Sequence, residues 1–279
     1  MAFTETTGSN DDYKEASAEQ MRLFYATKAS VNPNLSTPSV PPSVSKVHAD
    51  TVAQHGEDVA SMAVSEYQGM LQNFFVGLLN AKRVLEIGTF TGASAIFFAN
   101  ALKRNGVAGG RDADGYKPVV SLDISEEFAK IARQNFVDAG VDDYIDVVVG
   151  DARQSLTDLA GQTFDIIFLD ADKPAYMSYY EAILGKNMLA MGGLIIADNT
   201  AFNCVTPYIG VPAPVASDAV PVEVSFEVEK LTVLGPAASK IIPKALHNFN
   251  EHVRKDPRSE VVMLPLFTGI SLIRLLPEN

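Results

Sequence analysis

Residues 164–199 read FDIIFLDADKPAYMSYYEAILGKNMLAMGGLIIADN. An almost unbroken apolar run, FDIIFLD (164–170), ends in an acid. A helical stretch follows over about 174–190, and GGLIIAD closes the unit at Asp198. Strands this continuously apolar are buried on both faces, and a helix joining two of them is a crossover, which makes the pair parallel. The same alternation extends backwards. RVLEIG (83–88), PVVSLD (118–123) and YIDVVVG (144–150) are strands of the same type. Helical ASAIFFANAL (93–102), SEEFAKIARQNFVDAG (125–140) and a stretch at about 152–160 separate them, with Ser125 placed to cap and Gly140 to stop the second. Forwards, a helix is expected at about 236–255, then EVVMLPL (260–266) and GISLIRLL (269–276). Only Phe267 and Thr268 separate these last runs, too few for a crossover, so they pair antiparallel. The reading is an α/β fold: a parallel sheet covered on both faces and finished by an antiparallel hairpin strand.

Outside this frame the chain is simpler. VNPNLSTPSVPPSVS (31–45), with four prolines and four serines, excludes a continuous helix or central strand. Residues 1–45 are therefore read as a partly flexible, Pro-rich arm, with a short helix over 16–30 through Met21, Leu23, Phe24 and Tyr25. One domain is expected over 46–279. It opens with a helical pattern from about His48 to Asn80 and carries a lid-like insertion at about 202–235. The 279 residues hold 22 Lys plus Arg against 34 Asp plus Glu, a net charge of -12. Such a field repels nucleic acid and anionic lipid, so neither is an expected partner. A single cysteine, Cys204, excludes an internal disulfide and a cysteine-built zinc site, and the four histidines show no HxxxH or HxH spacing. No run approaches the ~20 apolar residues of a membrane span. With its acidic, polar N-terminus, which fits no leader peptide, the chain is expected in a reducing, cytoplasmic compartment.

In an open α/β sheet, ligands sit beyond the carboxyl ends of the strands. The first strand ends Glu86-Ile-Gly88-Thr-Phe-Thr-Gly92-Ala-Ser94, a glycine turn that is not GxGxxG and so lacks the diphosphate cradle of a dinucleotide site. A carboxylate inside that strand end suits a cationic ligand better. Asp123, ending the second strand, is placed to accept ribose hydroxyls or, alternatively, to enter the next helix as a solvated acid. Asp151-Ala152, after the third strand, faces an adenine amino group or caps a helix. Together Glu86, Gly88, Asp123 and Asp151-Ala152 line one crevice suited to a nucleoside carrying positive charge: S-adenosylmethionine.

Asp170, Asp172 and Lys173 follow the fourth strand; Asp198 and Asn199 follow the fifth. Acids packed at adjacent buried strand ends need a compensating cation. Two carboxylates and an amide oxygen form a set for Mg²⁺, Mn²⁺ or Ca²⁺ rather than zinc. The alternative is an ion pair to Lys173 with an Asx turn at Asp198-Asn199.

VLEIGTFTGAS, FDIIFLDADK, GGLIIADNTAFN and DPRSEVVMLPLFTGISLIRL resemble the class I metal-dependent O-methyltransferases, which include the caffeoyl-CoA and catechol O-methyltransferases. The resemblance runs from about Met62 to Gly92, and again through 118–204 and 245–276. It implies a Rossmann-like, seven-stranded methyltransferase sheet, mostly parallel, with one antiparallel strand at the C-terminal hairpin. It places metal ligands on Asp170, Asp198 and Asn199, and the catalytic lysine, as general base, on Lys173. Contacts to S-adenosylmethionine fall on Met62, Val64, Glu86, Gly88, Ser94, Asp123, Ala152 and Asp170, and a substrate contact on Asp172. It also implies a homodimer, and the helical run 62–79 carries more apolar residues than a monomer needs. Three departures stand out: a longer loop at 104–117, a longer segment at about 205–235, and Phe267-Thr268-Gly269 where the family has an acidic GDG. Residues 205–229 contain no Lys or Arg, while Phe202, Tyr208, Phe226 and several prolines suit stacking on a ring. The expected acceptor is thus a small catechol-type aromatic, with Phe202 and Tyr208 on the substrate. A caffeoyl-CoA acceptor is the alternative, and a noncatalytic nucleotide-binding protein of the same fold is the alternative of another class.

Overall fold

The computed structural model describes residues 39–201, 235–264 and 266–277. The arm up to residue 38 with its expected helix, and the insertion with Phe202 and Tyr208, lie outside the described residues. Pro41–Asn279 make up one unit.

Helix α1 (Pro42–Ala60) begins with proline in its first turn, where the missing N–H has no helical partner to lose. It therefore starts inside the stretch read as arm. The helical pattern expected from about His48 to Asn80 is divided between two helices. Gly56 breaks the geometry of α1 at φ 83°, and Ser65 accepts a hydrogen bond from Gln68 N to start α2 (Glu66–Leu78). A serine cap and a left-handed glycine outweigh an unbroken apolar pattern.

The remaining elements alternate as expected: β1 (Val84–Ile87), α3 (Ala93–Arg104), β2 (Val119–Asp123), α4 (Glu126–Asp138), β3 (Ile145–Val149), α5 (Ala152–Asp158), β4 (Phe164–Leu169), α6 (Tyr176–Gly185), β5 (Leu189–Ala197), α7 (Gly235–Lys255), β6 (Ser259–Leu264) and β7 (Ile270–Leu275). Two boundaries move. Helix α6 stops at Gly185, and β5 starts at Leu189 rather than about 193. Asn187, at φ 53°, turns the chain there. The register of β5 against β4 jumps from Phe164↔Leu189 to Ile166↔Leu194, so Ala190–Gly193 form a bulge that periodicity cannot reveal.

The seven strands form one sheet in the order β3-β2-β1-β4-β5-β7-β6. Strands β1 to β5 are parallel, and β7 is antiparallel to both its neighbours, β5 and β6. Hence β6 runs with the parallel set and β7 is the one reversed strand. Right-handed crossovers put α3 and α4 on one face, where α1 and α2 pack on them, and α5, α6 and α7 on the other. The core between sheet and second helix layer includes Leu85, Ile167, Tyr176, Tyr180, Ile195 and Phe249, all essentially buried. Among the described residues no helix is long and apolar enough to cross a membrane.

The candidate active site

The parallel register brings the carboxyl ends of the strands level. Ile87 pairs with Leu122 on one side and Leu169 on the other, Leu169 pairs with Ala197, and Asp123 pairs with Val149. The residues that follow these positions form one edge: the glycine turn, Asp123, Ala152, Asp170 and Asp198-Asn199. The first turn is built around close approach. Gly88 has φ 108°, and a Cβ there would stand 2.3 Å from the Asp170 carbonyl oxygen. Asp170 N donates to Ile87 O at 2.9 Å, so Gly88 and Asp170 lie backbone to backbone. Gly92, at φ 90°, leads into α3, where Ser94 is buried.

Glu86 is fully buried in β1. Its Oε2 accepts from the Ser121 hydroxyl, while Oε1 is buried without a hydrogen-bond partner. Burial raises its carboxyl to about 8, with Asp170 and Asp123 adding to the rise and the Ser121 hydrogen bond opposing it. An orphaned acceptor of this kind is complementary to a ligand ammonium or hydroxyl. Asp123 Oδ2 accepts from Thr89 N (3.0 Å) and Phe90 N (2.7 Å), and Oδ1 from Ser125 N (2.8 Å). The acid thus ties the glycine turn to the start of α4, and a carboxylate's roughly four lone-pair sites leave one to spare. Both readings of Asp123, helix-entry acid and ribose acceptor, are compatible in one side chain. Asp151 caps α5 through Arg153 N (2.9 Å) and pairs with the Arg153 guanidinium, which leaves Ala152 as the first residue of that helix.

On the other side of β1, Asp170 and Asp198 face a common space. Burial raises the Asp170 carboxyl to about 7; Lys173 opposes the rise and Asp198 adds to it. Asp198, 4% exposed, is raised by burial as well, again opposed by Lys173. Lys173 Nζ donates to Asp170 Oδ1 at 2.6 Å, and Asp198 Oδ1 accepts from Asn199 N at 2.7 Å. The ion pair foreseen as the alternative to a metal is therefore present, but the Asx turn is not: the Thr200 N–H it would need donates to Gly269 O. These contacts leave a buried carboxylate, Asp198, and a part-buried one, Asp170, with one ammonium between them, a deficit of positive charge that a hard cation would fill. Asn199 completes the set. Held at φ 58°, it gives its Nδ2 to Thr268 Oγ1, which leaves Oδ1 as the free acceptor. All three side chains can offer oxygen, and the donor chemistry fits Mg²⁺, Mn²⁺ or Ca²⁺.

Several expected residues stand apart from the strand ends. Met62, 44% exposed, and the buried Val64 lie on the connection between α1 and α2. Helix α1 itself reaches the glycine turn, through Thr51 Oγ1 and Thr91 Oγ1, 3.2 Å apart. Asp172 is exposed at the entry to a 3₁₀ turn, Lys173–Ala175, that lifts Lys173 back over β4.

Other residues of the site carried no motif. Ser121, a polar residue inside an apolar strand, was a legible signal. Tyr176, three residues after Lys173, gave none, and Thr268 stands out only as part of a departure from the family pattern, its bond to Asn199 being tertiary. The 267–269 turn is bound to the loop after β5 by Thr200 N to Gly269 O and Ala201 N to Thr268 O, both 3.0 Å. Among the described residues, one trio of His and acid side chains has the spacing of a metal site, Glu181, His252 and Asp256. It lies toward the amino end of β6, opposite the strand ends described above. Arg258 already bridges Glu181 and Asp256, so this trio is an ion-paired clasp between α6 and α7.

A buried acid with a free oxygen, a glycine turn, an acid closing β2 and the Asp170–Asp198–Asn199 group thus lie along one edge of the sheet, at the carboxyl ends of its strands. The sequence model of the O-methyltransferase family matches residues 39–276. A catechol O-methyltransferase of Mycobacterium tuberculosis is 36% identical over 54% of this chain, which spans just under two thirds (63%) of that relative. Caffeoyl-CoA O-methyltransferase 1 of Eucalyptus globulus is 31% identical over 76% of this chain and 74% of its own length. Among solved structures, the O-methyltransferase of Bacillus cereus in complex with SAH superposes with a TM-score of 0.63 at 25% identity, covering 84% of this chain and 90% of that one. The SAH-bound methyltransferase of Podospora anserina shares the fold at a TM-score of 0.68 and 24% identity, over 99% of this chain and all of its own. The chain belongs to the class I O-methyltransferase family and is an S-adenosylmethionine-dependent O-methyltransferase.

Proposed function

We propose that the protein transfers the methyl group of S-adenosylmethionine to one hydroxyl of a small aromatic bearing two adjacent hydroxyls. The observation that carries this is the pair of carboxylates, part-buried Asp170 and buried Asp198, held beside the Asn199 amide and compensated only in part by Lys173. A divalent cation on these three side chains, Mg²⁺ foremost, would supply two neighbouring positions for a vicinal diol and ease loss of its proton. With a cation in place to compensate Asp170, Lys173 Nζ, 2.6 Å from that carboxylate, could shed its own proton and, as the neutral amine, take the diol's proton as general base. Glu86 and Asp123 hold the cofactor's cationic and ribose ends, Gly88 lets it approach the backbone, and Met62, Val64, Ser94 and Ala152 line its flanks. Asp172 and the insertion residues Phe202 and Tyr208 are assigned to the acceptor. The absence of Lys and Arg from 205–229 favours an uncharged catechol over a CoA thioester. The catechol O-methyltransferase relative points the same way, whereas the caffeoyl-CoA relatives support the second reading. Cysteine usage supports a cytoplasmic setting, and the exposed apolar face of α2 supports a homodimer.

The test is kcat/KM for catechol or caffeic acid against caffeoyl-CoA and a monophenol. Catechols should lead, exhaustive chelation should abolish turnover, and Asp198→Ala should do the same with cofactor affinity largely intact. A wide margin for caffeoyl-CoA would overturn the charge argument. A monophenol matching catechol, or full activity after chelation, would overturn the chelation argument.

A further inference from the structure

Lysine side chains are flexible four-carbon stems, and a base must be held in place to work. Lys173 Nζ has two fixed partners, Asp170 Oδ1 at 2.6 Å and the Tyr176 hydroxyl at 3.0 Å. Under the reading above Asp170 is shared with a cation, so Tyr176 is the partner that stays neutral and unshared.

Tyr176 is the first residue of α6 and is fully buried. Its hydroxyl lies 2.9 Å from Leu169 O at the end of β4, and 3.1 Å from Asp198 O just past β5. A phenol has a single proton, which these two carbonyls take, so toward Lys173 the oxygen can only accept. Leu169 O also accepts from Asp198 N at 3.0 Å, so one knot joins both strand ends to the amine. The ring is fixed as well: it meets Phe249 of α7 edge to face at 5.5 Å, and the Lys173 ammonium stands 5.2 Å from its centroid. Burial, reinforced by Asp170 and Asp198, holds the phenol well above its ordinary pKa, so it remains a proton-bearing group at any working pH.

We propose that Tyr176 is the positioning residue of this active site, its hydroxyl orienting the Lys173 amine against the ends of β4 and β5. The inference rests on Lys173 being the base. It adds a third member to the pair formed by base and acceptor, in the way a base is commonly oriented by a further group.

The test is Tyr176→Phe in the full chain, assayed with S-adenosylmethionine, Mg²⁺ and catechol, beside Tyr180→Phe. Tyr180 is the matching buried tyrosine one turn along α6, bonded to Asp256 Oδ2 (2.9 Å) and Ser259 Oγ (2.8 Å), away from the strand ends. Tyr176→Phe should lower kcat at least tenfold and change the shape of its pH profile. KM for catechol and the calorimetric Kd for the cofactor should stay within twofold. Tyr180→Phe should lower Tm to a similar degree and leave kcat unchanged. A kcat kept within twofold in Tyr176→Phe, a loss confined to KM, or kcat losses in both variants that track Tm would each overturn the proposal. Should Tyr176→Phe not fold, Phe249→Leu loosens the ring and keeps the hydroxyl; kcat should still fall with KM held, and an unchanged kcat would overturn the proposal. Lys173→Met separates the two levels. Full turnover there refutes the base and this inference with it, whereas an inactive Lys173→Met beside an unimpaired Tyr176→Phe refutes the positioning role alone.

Discussion

Glu86 shows how one buried side chain can set a pH dependence. Its carboxyl stands at about 8 in the fold against an ordinary 4.5, so folding favours the protonated form. Below about pH 4.5 both folded and unfolded chains hold the proton. Between there and pH 8 the unfolded chain releases it and the folded one retains it, so stability falls as pH rises and levels off above 8. The unfolding free energy of wild type minus that of Glu86→Gln, from urea titrations without cofactor, should decline from pH 5 to 8. The steepest slope should approach about 1 kcal/mol per pH unit. A flat difference would show that Glu86 is charged in the native state. The residue types at the site, Glu86, Asp123, Asp170, Lys173, Asp198 and Asn199, were legible because each acid interrupts or ends an apolar run. Thr268 was not, because nothing near it in sequence hints that its hydroxyl holds the Asn199 amide.

At the scale of the element, two glycines separate backbone freedom from close packing. Gly56 breaks α1 at φ 83° with open space around it, so an added Cβ meets only backbone strain. Gly88 combines φ 108° with the Asp170 carbonyl 2.3 Å from where a Cβ would sit. Gly56→Ala should destabilise by about 1–3 kcal/mol and leave cofactor affinity unchanged. Gly88→Ala should cost more and weaken cofactor binding, because the β1 and β4 ends must part. Chemical denaturation with calorimetry on the two variants compares them directly; equal losses would mean that the Gly88 approach is not constrained. The helices themselves were legible from spacing. The break between α1 and α2 was not, because Phe74, Phe75 and Leu78 continue the apolar pattern whether or not the chain turns at 61–65.

At the scale of the molecule, α2 presents Phe74 (62% exposed) and Leu78 (66%) one turn apart on one side, an apolar face that a protein surface seldom leaves uncovered. If this face carries the proposed homodimer, the wild type should sediment at twice the 30.0 kDa chain mass at micromolar concentration. Phe74→Glu with Leu78→Glu should return it to one chain mass with the fold retained. A monomeric wild type would remove the dimer from the account.

The order of strand types, the parallel direction of the first five strands, the antiparallel pairing of the last two and the acids at the strand ends were determined by the sequence alone. Their causes are local: apolar runs too continuous to be half exposed, crossovers long enough to require parallel pairing, and a final link too short to allow it. Tertiary structure decided the rest. Register sets Leu169 beside Ala197 and so Asp170 beside Asp198. The reversed strand β7 carries Thr268 back to Asn199, and the packing of α6 sets the Tyr176 hydroxyl against Asp198 O at the end of β5. These contacts join residues far apart in the chain, and they form only when burial of the core drives the layers together.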